Sequence, residues 1–101
     1  MANDFASNPI YLDTFGSAID AGNSLFADSN ARFKLNWIEW QEPAAAADVA
    51  VVTDGGGKPI FDETCLNANQ SIIKYFHGAW VSGIKVAASG VSSGKILISY
   101  F

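Results

Sequence analysis

The chain holds one histidine, His77, and one cysteine, Cys65, and these are the first candidates for catalysis. A thiol becomes a nucleophile when a base takes its proton, and an imidazole base needs a further group to orient it. The surroundings Glu63-Thr-Cys-Leu-Asn67 carry no local signature of a thiol enzyme, and the charged residue closest to His77 in sequence is Lys74. The expectation is a buried, inert cysteine and a turn histidine between Phe76 and Gly78. Gly55-Gly-Gly-Lys58 has the glycines and lysine of a phosphate cradle. Pro59 follows where such a cradle needs Ser or Thr, and the next residues read as a strand rather than a helix, so a hairpin turn is expected. Asp54 and Asp62 offer carboxylates to calcium without the dense run of oxygen ligands that binds it. Asn69-Gln-Ser71 is a glycosylation sequon by pattern alone. No catalytic residue, cofactor or metal ligand is expected, and the chain reads as a non-enzyme.

The three tryptophans carry a different chemistry, since exposed indole rings stack on sugars or fill pockets on another protein. Trp37 shares the parity of Phe33 and Leu35 and is expected in the core. Trp40 lies past a slip in that parity and Trp80 opens a strand after a turn, so an exposed position is expected among these two. Packing in the core or at a protein interface outweighs a sugar platform, because large aromatic side chains are mostly buried in cores and interfaces. The residues expected to touch a partner are Phe5, Pro9, Tyr11, Trp40, Trp80 and Phe101.

Composition supports protein partners. Half of the 101 residues are hydrophobic, 13% are aromatic and only 16% are charged, against roughly 25% charged in an average domain. A domain of this size has too little interior to enclose so many rings, so another chain is expected to cover part of the apolar surface. The net charge of −4, with six Lys and Arg in no cluster, disfavours nucleic acid and anionic membrane surfaces. The apolar stretch from Ala44 to Val52 is interrupted by Asp48 and is too short to span a bilayer. The opening Met1-Ala-Asn-Asp-Phe lacks the charged and apolar regions of a signal peptide, so synthesis in a cytoplasm is expected.

The elements that must position these residues are strands. Residues 1–9 read as a polar arm, mobile by itself, whose Phe5 docks on a neighbouring chain, so that removing it leaves stability nearly unchanged. Residues 10–101 read as one domain. A short extended piece covers Ile10 to Asp13, and a weak strand lies around Ala18 to Asp20. Ala21 to Asn30 is rich in Gly, Asn, Ser and Asp and reads as a loop, with Leu25 and Phe26 tucked beneath it. From Arg32 to Gln41 apolar residues alternate, with a parity slip after Trp37 that predicts a β-bulge or a bend between sheets. Val49 to Thr53 and Pro59 to Glu63 flank the glycine turn as a hairpin. Strands follow at Ser71 to Phe76, Trp80 to Ala87 and Lys95 to Phe101, the last two reading as an antiparallel pair. About seven or eight short strands without a long helix predict an all-β, antiparallel β-sandwich or jelly roll.

The order of these features resembles a group of small virion structural proteins of tailed bacteriophages, of the head-decoration (cement) type. The likeness rests on Asn8-Pro-Ile-Tyr-Leu-Asp13, Asn36-Trp-Ile-Glu-Trp40, the hairpin of residues 51 to 61, and the pair Trp80-Val-Ser-Gly-Ile-Lys-Val86 with Ser93-Gly-Lys-Ile-Leu-Ile98. It implies a homo-oligomer, a trimer in that group, that stabilises the major capsid protein from the capsid exterior after synthesis in the bacterial cytoplasm. A baseplate, neck or tail-fibre module of the virion is the close alternative, and a carbohydrate-binding module the distant one.

Overall fold

The computed structural model describes residues 3–101; Met1 and Ala2, the start of the expected arm, lie outside the described residues. Among the described residues, nine strands and one short helix follow in order: β1 (Ile10–Leu12), β2 (Ile19–Asp20), α1 (Ala21–Phe26), β3 (Arg32–Gln41), β4 (Val49–Thr53), β5 (Pro59–Thr64), β6 (Ile72–Tyr75), β7 (Trp80–Ser82), β8 (Lys85–Val86) and β9 (Lys95–Tyr100). They form two antiparallel sheets. One runs β1-β9-β3-β6, with β7 also paired to β3, and the other runs β2-β8-β4-β5. Taking β6 and β7 as one interrupted strand, successive strands alternate between the two sheets except at the β4–β5 hairpin, the order of a jelly roll, so the expected sandwich holds.

The core follows from alternation. Phe33, Leu35, Ile38 and Trp40 of β3 face inward with Ile96 and Ile98 of β9 and Ile10 and Leu12 of β1; Ala50, Val52, Phe61, Ile84 and Val86 line the opposite side. Every buried residue described is apolar. Each large aliphatic or aromatic side chain buried here contributes on the order of 1.5–3 kcal/mol, which offsets the ordering of the backbone.

The parity slip in β3 is a bulge. Its register with β9 shifts between Leu35 and Trp37, leaving Asn36 as the extra residue. On the other side of β3 the partner strand breaks at the same level. There Phe76 N donates to Asn36 O (2.9 Å) and Gly78 N to Leu35 O (2.8 Å), with His77 and Gly78 both at positive φ. The turn lets β6 and β7 both pair with β3 although the bulge has changed its phase.

Four expectations need correction. Residues 21–30 are not all loop, because Asp20 caps α1 by accepting from Asn23 N (3.1 Å) and Ala27 closes it in the left-handed region. Leu25 packs on the core, while Phe26 stays 56% exposed. The single strand expected from Trp80 to Ala87 is two strands in different sheets, separated at Gly83. A side chain is excluded at Gly83, since its Cβ would lie 2.3 Å from Ser29 O and its φ is +83°. Hence β9 pairs with β1 and β3, not with the strand before it.

The fourth correction concerns the arm, which is tied to its own domain. Asp4 and Tyr11 exchange backbone bonds of 2.8 and 3.0 Å. Asn3 Oδ1 accepts from the amides of Asp13 (2.8 Å) and Thr14 (2.9 Å), and Asn8 Nδ2 donates to Tyr100 O (2.7 Å). Phe5, expected on a neighbouring chain, is half-buried against the core. Side-chain amides supply the pairing that a hydrophobic period could not signal.

Candidate functional site

The outer face of the five-stranded sheet carries what the composition foreshadowed. Inward parity on each strand leaves the alternate residues outside, and the pairing places them in cross-strand rows. Tyr11, Leu97, Glu39 and Ile73 make one row. Ser99, Trp37 and Tyr75 make the next. Phe101, Lys34 and Trp80 make a third, with Phe101 N donating to Lys34 O at 2.8 Å. Tyr75 and Trp80 are each 57% exposed, Phe101 70% and Ile73 41%. Neighbouring polar groups lie along the rings rather than over the whole face. The Arg32 guanidinium sits 5.2 Å from the Trp80 ring centre, Lys34 Nζ 5.3 Å from that of Phe101, and His77 stacks on Tyr75 at 6.2 Å. Glu39, in the middle of the face, accepts from Gln41 Nε2 at 2.8 Å.

The opposite sheet presents a different outer surface. Asp20, Lys85, Thr53, Val51, Asp62 and Thr64 alternate with its core residues and include no aromatic ring. The exposed aromatic rings on the sheet strands thus gather on one outer face only.

Of the six residues expected to touch a partner, Tyr11, Trp80 and Phe101 lie on this face. Pro9 is half-buried at the start of β1, and Phe5 is folded back as described. Trp40 is a correction: it is fully buried, its Nε1 donating to Ser93 O at 2.9 Å. Trp37, expected in the core, is the tryptophan of β3 that reaches the outer face. Placing the bulge at Asn36 instead of after Trp37 exchanges the two rings. Trp37, Ile73, Tyr75 and Leu97 were therefore missed, although the alternation of β9 already separated Leu97 from Ile96 and Ile98.

The groups considered for catalysis are engaged in structure. Cys65 is buried, with Sγ donating to Ala45 O at 3.0 Å, and His77 is exposed in its turn. In the glycine loop the Asp54 carboxylate accepts from Gly56 N and Lys58 N, both at 2.9 Å, so the amides that would cradle a phosphate hold the loop's own side chain. No group of three or more His, Cys, Asp or Glu residues suited to a metal occurs among the described residues. No helix among them is long and apolar enough to cross a membrane.

Two charged groups have shifted pKa values. Burial pushes the Asp20 carboxyl up, but bonds from Ser29 Oγ (2.6 Å) and the Asn23 amide, with Lys85 and Gly22 nearby, outweigh it and hold it below the usual carboxylate range. The Lys95 ammonium is raised by its bond and charge pairing with Glu42 at 2.8 Å.

Comparison with protein-family models, with curated proteins and with solved structures gives no match to this chain.

Proposed function

We propose that the chain is a non-enzymatic structural protein of a phage virion, an oligomer on the capsid lattice that buries the aromatic face of its five-stranded sheet against another protein chain. The observation that carries this reading is the contiguity of Trp37, Tyr75, Trp80, Phe101, Leu97 and Ile73 on one outer face while the other stays aromatic-free. Two lines support it. Viral capsid domains are frequent users of the jelly roll, an analogy at the level of fold. The order of strands and turns resembles small virion proteins. Modest contacts per subunit become lasting when several subunits of one oligomer engage the lattice together.

The test is co-sedimentation with heads of the phage that carries this sequence. The wild type is expected to pellet with the heads, and Tyr75→Ala with Trp80→Ala to stay in solution while keeping the far-ultraviolet circular dichroism of the folded wild type. Binding to tails or baseplates instead moves the protein to the neck, baseplate or fibre. A sugar-binding reading is favoured by the two flat rings of Tyr75 and Trp80, equally exposed on neighbouring strands paired to β3. Titration with glycans, read by tryptophan fluorescence, decides for that reading if the signal saturates and is lost in the same variant.

A further inference from the structure

We infer that the occupant of the aromatic face is a second copy of the same face, turned end for end about a two-fold axis that lies in the interface along the row Ser99–Trp37–Tyr75. This rests on the reading that the face joins protein chains, and it adds the partner and the register.

The pattern of the three rows selects that register. On β9, Leu97, Ser99 and Phe101 are alternate residues, so the rows are evenly spaced, roughly 7 Å apart. Turning one copy about the middle row lays each strand antiparallel on its own counterpart and each outer row on the opposite outer row. Phe101 then meets Leu97 of the other copy, Trp80 meets Ile73, and Lys34 meets Glu39. Apolar groups fall on apolar groups, and the one cation of the third row falls on the one anion of the first. Trp37 and Tyr75 meet their own copies at the axis. A strand-parallel axis along β3 fails, because it stacks Lys34 on Lys34 and Glu39 on Glu39, and like charges in contact are strongly unfavourable. One between β3 and β9 lays Lys34 on Phe101 and Glu39 on Leu97, leaving both charges facing apolar groups.

Charge within one chain points the same way. Glu39 lies between Leu97 and Ile73, and its hydrogen bond comes from the uncharged Gln41. The one salt bridge among the described residues is Lys95–Glu42, outside the three rows. Lys34 rests over the Phe101 ring. Facing sheets cross at about 30°, which displaces a residue one row from the axis by about 4 Å, within reach of Lys and Glu side chains. The area covered is on the order of 1,000 Å² in total, the size at which specific interfaces begin. A face closed on itself by a two-fold pairs two chains and leaves no such contact for a third.

Light scattering and sedimentation velocity over a concentration series test this with Lys34→Glu, Glu39→Lys and the double swap. The wild type is expected to be a dimer. Each single change is expected to weaken it about tenfold or more by placing like charges together, and the double swap to restore it. Trp37→Cys adds an independent arm: facing sheets lie about 10 Å apart, beyond the reach of a disulfide, so a short bis-maleimide cross-linker is expected to link two copies through the axis. Singles that leave the dimer unchanged, a double swap that fails to recover, or absence of the bis-maleimide cross-link in Trp37→Cys overturns the register. A wild-type trimer overturns the two-fold but leaves self-association standing. A monomer that still pellets with phage heads overturns the second copy as occupant while the proposed function stands.

Discussion

Trp37 and Trp40 belong to one strand yet face opposite sides of the sheet: Trp40 is wholly enclosed and hydrogen-bonded to Ser93 O, while Trp37 stands beside Tyr75 on the outer face. The two rings therefore differ in what they contribute to stability. Trp40→Ala is expected to cost about 3–5 kcal/mol, from lost burial and the cavity left behind. At protein concentrations where the chain is monomeric, Trp37→Ala is expected to cost about 1 kcal/mol or less, as a half-exposed surface change. Urea denaturation of the two variants checks this, and equal losses would place Trp37 in the core after all.

Gly83 separates the two sheets at a point where backbones touch. Gly83→Ala would set its Cβ 2.3 Å from Ser29 O and 2.8 Å from Gly55 Cα at a φ of +83°. A loss of more than about 3 kcal/mol, or failure to fold, is expected. Gly57 has a similar φ of +87° with open space around it, so Gly57→Ala should cost only about 1–2 kcal/mol of backbone strain. Thermal melts of both variants separate crowding from strain.

Acid stability should depend on Asp20. Its folded-state pKa lies below the unfolded value. The ionised form therefore stabilises the fold above about pH 4, and that contribution disappears as pH falls through the folded-state pKa. Asp20→Asn keeps a residue suited to cap α1 but removes the charge. Unfolding free energies measured from neutral to acid pH should show the variant weaker near neutrality and level with the wild type at the acid end. A constant gap across the range would show that the charge is not the cause.

The arm is a structural part of the domain. Asn3→Ala, which removes the acceptor for the amides of Asp13 and Thr14, is expected to cost about 1–2 kcal/mol. For a domain of this size that lowers Tm by roughly 4–8 °C per kcal/mol. Deleting residues 2–7 should lower it at least as far. A truncated chain that melts with the full one would return the arm to the role of a free docking segment.

Much of the architecture was legible because it is written in period and punctuation. Alternation in Lys95 to Tyr100 predicts which isoleucines are buried, and the Asp54 to Lys58 turn predicts the β4–β5 hairpin. The bulge was visible as a parity slip. Its position was not, because Asn36 and Trp37 are both compatible with the extra place until pairing with β9 chooses one. The short α1 was hidden by Gly, Asn and Ser, whose weak helix propensity is overcome by the Asp20 cap and by burial of Ala21.

By itself the sequence determined that the chain is all-β and that its aromatics exceed what one small core holds, since both follow from local period and composition. Tertiary structure alone decided which rings are outside and where they gather. Tyr11, Leu97, Trp37, Tyr75 and Trp80 come from five strands scattered along the chain, and only long-range pairing of β1, β9, β6 and β7 with one another and β3 sets them side by side. A strand's own alternation can say that a residue is on one side, but the register with its neighbours says which side and beside whom.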